Sequence, residues 1–102
     1  MMESTIFTIH YTVHELKTWA PYFQEVIDGF KNFEVRKEDR EFKVGDALYL
    51  REYDEANGYS GRETYRSIIY KLTGGQFGIE EGFCVLGLGY LQCLAFHRRI
   101  RS

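Results

Sequence analysis

The chain has 102 residues, 44% of them hydrophobic and 17% aromatic, and its formal net charge is −2 at pH 7. This length accommodates a single domain, and the near-neutral charge excludes the broad basic field on which non-specific nucleic-acid binding depends. Any contact with nucleic acid must therefore come from a local patch or a pocket.

Cysteine usage and hydropathy predict a cytoplasmic protein that does not bind a membrane. Cys84 and Cys93 both lie in the apolar residues 83–96. Two cysteines without a secreted context indicate reduced, partly buried thiols and no disulfide framework. Residues 1–10 lack the basic and apolar regions of a signal peptide. The most apolar run, residues 83–91, is far shorter than the roughly 20 residues of a membrane helix.

The N-terminal third of the chain predicts a strand followed by a helix. Polar and apolar side chains alternate over residues 6–13, which indicates a strand. Over residues 14–28 the apolar side chains recur at helical spacing instead. Thr18 is placed to cap this helix, Pro21 falls near its first turn, and Gly29 is placed to end it.

Strands and turns are predicted for most of the remaining chain. The predicted strands are residues 30–37, 47–53, 62–73 and 83–96. Polar or glycine-rich segments separate them at residues 41–46, 54–61 and 74–82. One helix between the first two of several strands favours the α+β class, as a small mixed β-barrel or curved sheet packed against the helix.

Residues 29–36 carry the most informative pattern, Gly-x-Lys-x-x-Glu-x-Arg. Because alternate side chains of a strand point to opposite faces, Glu34 and Arg36 share one face and Phe33 and Val35 share the other. If the apolar pair fills the core, the charged pair lies on the opposite wall, where the lysine of the pattern can join it. Such a group could bind a phosphate or a small ligand. The simpler interpretation is an exposed strand face with a weak ion pair.

This pattern resembles the signature of the ASCH domain, a PUA-like β-barrel family, at Gly29, Lys31, Glu34 and Arg36. Flanking blocks in the same order extend the resemblance over about residues 14–88, toward a compact bacterial and phage subgroup described as uncharacterised or RNA-binding. These blocks include residues 14–17, 22–23, 44–46, 59–63 and 82–87. The resemblance implies one PUA-like/ASCH domain over residues 1–102, with a cleft beside the barrel that binds RNA or a nucleotide-like ligand.

Lys31, Glu34 and Arg36 are the central candidates for ligand binding in that cleft. Lys31 is a compact cation that suits a phosphate or, if desolvated, a proton transfer. Glu34 could accept a hydrogen bond from a base amino group, and the planar fork of Arg36 suits a phosphate or carboxylate. The alternatives are a solvated lysine at the strand end and a purely structural pair of Glu34 with Arg36.

Five further residues are predicted to lie near the ligand. Lys17 and His14 precede the helix, whose start favours anions. Arg62 follows a loop and could cover the cleft from there. Tyr53 and Tyr59 could stack on a base, although packing is the more common role of such tyrosines.

Two other functions stay open beside an RNA- or nucleotide-binding module. One is a hydrolase of a modified nucleoside or RNA, because one ASCH-like type resembles an amidohydrolase for acylated cytidine and others resemble ribonucleases. The amidohydrolase type uses the signature lysine, a threonine three residues later and a distant glutamate; here Lys31 and Glu34 fill the first two places and are the catalytic candidates. Four glutamates could fill the third place: Glu52, Glu63, Glu80 and Glu81. The other function is a module that binds a protein partner, with a phage connection.

No metal or cofactor is predicted from the sequence. No set of Cys and His residues reaches four ligands, and no glycine-rich loop leads into the Lys-Ser/Thr pair of a phosphate loop. The basic tail, residues 97–102, could contact a nucleic-acid backbone, but solvated termini of this kind usually bind nothing specific.

Overall fold

The computed structural model describes residues 11–91. The elements in this range are β1 (Val13–Trp19), α1 (Ala20–Ile27), β2 (Phe33–Lys37), β3 (Ala47–Asp54), β4 (Gly58–Thr73) and β5 (Phe83–Gly89). This order of one strand, one helix and four strands confirms the predicted α+β class with a helix between the first two strands.

The five strands form one mixed sheet in the order β1-β3-β4-β5-β2. β1 runs parallel to β3, from Val13 opposite Ala47 to Trp19 opposite Tyr53, and all other neighbouring strands are antiparallel. Register shifts in the β3–β4 and β4–β5 pairs raise the local twist, and the sheet curls into a half-barrel. The first two strands of the described chain therefore become the two edges of the sheet.

The concave face of the half-barrel holds the apolar core. Alternate residues of β1 and β5 are buried, as the two-residue period of a strand requires. α1 packs against β1 and β3 and inserts Phe23 and Val26, each 1% exposed. The buried apolar cluster comprises Leu16, Phe23, Val26, Phe42, Leu48, Leu50, Ile68, Cys84, Leu86 and Leu88. Burial raises the pKa of the Cys84 thiol, which fits an unreactive core cysteine.

The helix predicted over residues 14–28 is wrong in its first half. Residues 14–19 belong to β1, where every second side chain is buried, and α1 begins only at Ala20. Pairing with β3 overrides the helical spacing of the apolar residues, and Pro21 prevents the helix from extending backward, because its ring would clash with a carbonyl four residues earlier. Thr18 does not cap the helix; Trp19 occupies the cap position without a side-chain hydrogen bond. The predicted stop at Gly29 is confirmed, with a φ of 83°.

Two of the other predicted boundaries shift. The strand predicted over residues 30–37 begins only at Phe33, because the preceding turn is held by the Asn32 amide, which donates to the Gly29 carbonyl oxygen. The loop predicted over residues 54–61 is shorter, since β4 begins at Gly58 and pairs directly with β3.

The remaining strand predictions agree with the structure where it describes them. The strand predicted over residues 47–53 is β3, and the one over residues 62–73 forms most of β4. The described part of the strand predicted over residues 83–96 is β5. Most of the strand predicted over residues 6–13, Cys93, the end of the last strand and the basic tail lie outside the described residues.

Among residues 11–91, no helix has the length and apolar character needed to span a membrane.

Asp46 fixes the start of β1 beside β3. Its carboxylate accepts hydrogen bonds from the backbone N–H of Thr12 at 3.1 Å and of Lys43 at 3.0 Å. His14 Nε2 lies 2.8 Å from Asp46 Oδ2, and both side chains are buried. The His14 ring also packs against Phe42, with 4.7 Å between ring centroids.

We expect Asp46→Ala to lower the free energy of unfolding by about 3 kcal/mol, because two backbone N–H groups and the His14 ring lose their acceptor. Urea denaturation measures this change. Glu41→Ala is the matched control, since the Glu41 side chain is 76% exposed and its only ion-pair partner among residues 11–91 is Lys43, at 3.9 Å; it should change stability by less than about 0.5 kcal/mol. Equal unfolding midpoints for the two variants would contradict this role of Asp46.

Candidate functional site

A cleft of about 610 Å³ lies between the two edge strands of the half-barrel. The end of β1, one side of α1 and residues 30–36 line it. The lining side chains are Lys17, Thr18, Trp19, Tyr22, Glu25, Phe30, Lys31, Phe33, Glu34, Val35 and Arg36. The cleft therefore contains all three charged residues of the signature pattern.

The Glu34 carboxylate lies at the centre of the signature residues and is shielded from solvent, with 4% of the residue exposed. Lys31 Nζ donates to its Oε2 atom at 3.1 Å, and Arg36 Nε donates to its Oε1 atom at 3.1 Å. Both carboxylate oxygens are thus engaged by cations, which compensates the cost of burying the charge. The weak surface ion pair considered from the sequence does not describe Glu34.

The predicted division of the signature strand into two faces is confirmed, but the expected orientation is inverted. Phe33 and Val35 do not fill the core; they are 45% and 50% exposed. The register with β5 explains this, because Glu34 stands opposite the fully buried Leu86. The polar face of β2 therefore points into the half-barrel, and the apolar face points out.

Arg36 connects the two edges of the sheet. Its Nη2 atom donates to the Lys17 carbonyl oxygen of β1 at 2.9 Å. Lys31 makes a second local contact, from Nζ to the Phe33 carbonyl oxygen at 2.7 Å. One guanidinium thus fixes a carboxylate and a strand edge at once, which holds the walls of the cleft at a defined separation.

The cleft has an exposed aromatic rim and a polar floor, which is buried at Thr18 and Glu34 and half-buried at Lys31 and Arg36. The floor consists of Thr18, Lys31, Glu34 and Arg36. The rim consists of Trp19, Tyr22, Phe30 and Phe33, which are between 45% and 82% exposed. Lys31 Nζ lies 5.0 Å from the Phe33 ring centroid and 5.6 Å from that of Tyr22, so the cation joins floor and rim.

Thr18 carries an unsatisfied polar group at the floor. The residue is 2% exposed, and its Oγ1 atom has no hydrogen-bond partner in the part of the chain that the structure describes. A buried hydroxyl without a partner costs about 1–3 kcal/mol. Sequence reasoning considered Thr18 only as a helix cap. The alternation of the charged Glu15 and Lys17 with their uncharged neighbours is the signal that could have placed Thr18 on the inner face of a strand.

Sequence reasoning also missed the rim. Trp19 and Tyr22 lie in the residues predicted only as a helix, and Phe30 lies at the start of a predicted strand, yet all three line the cleft. The signal available was the alternation of aromatic residues with Lys17 and Lys31, which is typical of surfaces that stack on bases between phosphate contacts.

Lys17 is the only one of the five further candidate residues that lines the cleft. Its Nζ atom lies 4.1 Å from the Tyr53 ring centroid. Tyr53 and Tyr59 pack edge to face at 5.1 Å on the outer face of the sheet, and Tyr53 also contacts Trp19 at 5.5 Å. These tyrosines therefore adjoin the rim without lining the cleft, and stacking on a base stays a prediction for them.

His14 and Arg62 lie apart from the cleft lining. His14 is held by Asp46 at the opposite end of β1. Arg62 donates to Gln24 Oε1 at 2.8 Å on α1 and lies 3.7 Å from the Glu52 carboxylate. Contact of either side chain with a ligand stays a prediction.

On the outer face of the sheet, aromatic and charged side chains of β3 and β4 stack on one another and form hydrogen bonds. Tyr49 and Tyr65 stack at 4.8 Å, and Arg51 lies 3.9 Å from the Tyr59 ring centroid. The Tyr49 hydroxyl donates to Glu63 at 2.7 Å, and this hydrogen bond is the main reason that the pKa of Tyr49 is raised to about 12. These contacts hold β3 and β4 together on the outer face of the sheet.

Within residues 11–91, no cluster of His, Cys, Asp and Glu side chains is arranged to hold a metal ion.

We expect Glu34→Ala to lower the free energy of unfolding by about 3 kcal/mol, because Lys31 and Arg36 would lose the carboxylate that both contact. Glu25→Ala is the matched control: Glu25 lines the same cleft and makes no ion pair among the described residues, so its removal should cost less than about 0.5 kcal/mol. Chemical denaturation of both variants compares the two. A Glu34→Ala protein as stable as the control would show that the carboxylate does not organise the cleft.

We expect Thr18→Val to raise the free energy of unfolding by about 1 kcal/mol, because a methyl group replaces a buried hydroxyl that has no partner. Differential scanning calorimetry of the ligand-free protein gives the measurement. Thr18→Ser keeps the hydroxyl and removes a methyl group, so it should be less stable than the original chain. A destabilised Thr18→Val protein would mean that the hydroxyl is satisfied in the folded state.

The profile of a protein family, described as a domain of unknown function (DUF3850), matches residues 13–88. A 41-residue segment is 46% identical to an uncharacterised 12.9 kDa protein in the GpA 3′ region of Escherichia phage P2. The matched segment spans 40% of this chain and 38% of the phage protein. Neither description assigns a ligand or a reaction.

Proposed function

We propose that this chain, which belongs to the DUF3850 family, is a module that binds RNA or a nucleotide-like ligand in the cleft between β1 and β2. One observation carries the proposal: an exposed aromatic rim stands over a polar floor that contains the half-buried side chains of Lys31 and Arg36. Aromatic rings stack on bases for about 1–3 kcal/mol per base, and lysine and arginine side chains bind phosphate oxygens.

Local charge supports this proposal. The chain carries a formal net charge of −2, but the cleft is lined by three cations and only two carboxylates, those of Glu25 and Glu34. Of these three cations, Lys17 lies at the exposed edge of the cleft. A local positive site on an acidic chain suits binding in a pocket and not a broad electrostatic attachment.

The relationship to ASCH and PUA-like barrels is part of this proposal. The complete signature at Gly29, Lys31, Glu34 and Arg36 supports it, as do the curled mixed sheet and the position of α1 beside the signature strand. The similarity to a phage protein supports a phage or bacterial setting, and we propose a cytoplasmic location.

A hydrolase is a second candidate, favoured by the 3.1 Å contact between Lys31 Nζ and Glu34 Oε2. Of the four glutamates considered for the third catalytic place, Glu52 is buried, and it stands opposite Thr18 in the β1–β3 register. The binding role is better supported, because both Glu34 oxygens accept hydrogen bonds from cations, which fits a carboxylate that positions Lys31 and Arg36.

We expect Phe30→Ala to weaken binding of a short single-stranded RNA by about five- to hundredfold, because one stacking ring is lost. Amide NMR titration of the labelled protein gives both the affinity and the footprint. Phe77→Ala is the matched control: Phe30 and Phe77 are each 82% exposed, but only Phe30 lines the cleft. The control should bind as the original chain does.

The same samples separate the three functions. Conversion of the RNA or of added modified nucleosides, abolished in Lys31→Ala, would assign the protein to the hydrolases. The absence of any shift would contradict both nucleic-acid functions and leave the protein-binding module as the function to pursue. Equal losses for Phe30→Ala and Phe77→Ala would contradict binding in the cleft.

A further inference from the structure

The floor of the cleft has N–H donors that lack an acceptor among the described residues. A lysine ammonium has three N–H donors and an arginine guanidinium has five. Lys31 directs donors to the Phe33 carbonyl and Glu34, and Arg36 directs donors to Glu34 and the Lys17 carbonyl. Among the described residues, one donor of Lys31 and three of Arg36 therefore have no acceptor.

Thr18 adds an independent observation to these donors. Its hydroxyl is buried at the same floor without a partner among the described residues. α1 begins beside it at Ala20, with no side-chain cap and no acidic residue in its first turn, so the helix start adds no negative charge next to the floor. The floor thus has hydrogen-bond donors without acceptors, while its carboxylate, Glu34, already accepts hydrogen bonds from Lys31 and Arg36. Such a floor suits a ligand group that is rich in hydrogen-bond acceptors.

We infer that this floor is an oxyanion site that binds the terminal phosphate of a nucleotide, with Thr18 Oγ1 as a donor to one phosphate oxygen. The inference rests on the proposed function and names the part of the ligand that reaches the floor. Lys31 and Arg36 supply the positive charge, and the base lies against the aromatic rim.

The depth of the site favours a terminal phosphate over an internal one. Thr18 and Glu34 of the floor are buried and Lys31 and Arg36 are half-buried, whereas the rim residues are exposed, so a ligand reaches the floor end-on. A phosphate monoester presents three free oxygens and a single covalent link, whereas an internal diester has two links that must both leave the floor. The volume of about 610 Å³ lies within the range of about 300–1,000 Å³ typical of small-ligand pockets.

The carboxylate nearest to Thr18 on β3, that of Glu52, already has a hydrogen-bond donor and a cation as partners. Glu52 stands opposite Thr18 on β3, accepts a hydrogen bond from Ser60 Oγ at 2.7 Å and lies 3.7 Å from Arg62 Nη1. Its charge is thus directed toward β4 and compensated there, so Thr18 Oγ1 stays available to an anion.

Isothermal titration calorimetry with the four nucleoside 5′-monophosphates and the four nucleosides tests the inference. For the base that binds best, the affinity ratio of monophosphate to nucleoside should fall about tenfold or more in Thr18→Val, because a hydrogen bond to a charged group is lost. Thr18→Ser should restore most of the ratio. Phe30→Ala should weaken both ligands equally and leave the ratio unchanged, since stacking does not sense the phosphate.

Two further arms identify the source of the phosphate and separate this inference from the proposed function. A 5′-phosphorylated trinucleotide should bind more tightly than the same trinucleotide without its terminal phosphate, and inorganic phosphate should compete with the monophosphate. An unchanged ratio in Thr18→Val, with binding retained, would overturn the oxyanion site and leave the nucleotide-binding function standing. Binding of none of these probes would overturn both.

Discussion

A charged carboxylate is stable inside a protein only where cations and hydrogen-bond donors surround it. In this domain, the contacts that meet this requirement for Glu34 also fix the positions of the two edge strands. Lys31 reaches it from the turn after α1, and Arg36 reaches it from the same strand. Because Arg36 also bonds to the backbone of β1, the compensation of one buried charge sets the distance between the two edges of the sheet. The cleft is the space that this distance leaves open.

Edge strands are usually a liability, because their unpaired backbone groups invite association with other chains. In this half-barrel the two edges face each other, and a guanidinium spans them where a sixth strand or direct pairing would otherwise close the sheet. The arrangement leaves room for a ligand and supplies it with polar partners. The register of β2 with β5 turns the apolar side chains of Phe33 and Val35 away from the core, so both stay exposed beside this opening.

The class of the fold and the central residues of the candidate site could be predicted from the sequence. The extent of β1 and the orientation of β2 could not. Strand periodicity and turn residues predicted β3 and most of β4, and the signature pattern identified Lys31, Glu34 and Arg36. The period of residues 14–19 was misread, since the spacing of Leu16, Trp19 and Phe23 fits a helix and only long-range pairing with β3 makes it a strand. The orientation of β2 was equally inaccessible, because it depends on the register with a strand about 50 residues away.

The order of the strands has a consequence for how the domain folds. β1 and β2 are neighbours in sequence, but each is attached to the sheet through a distant strand, β3 for the first and β5 for the second. Their facing edges acquire fixed positions only when the pairings of β3, β4 and β5 are all in place. Such non-local pairing carries a large loop-closure entropy and slows folding. A chain emerging from the ribosome thus acquires its apolar core in stages, while the cleft is completed only after β5 has been synthesised, so a product truncated before Phe83 lacks the site even though every residue that lines it is present.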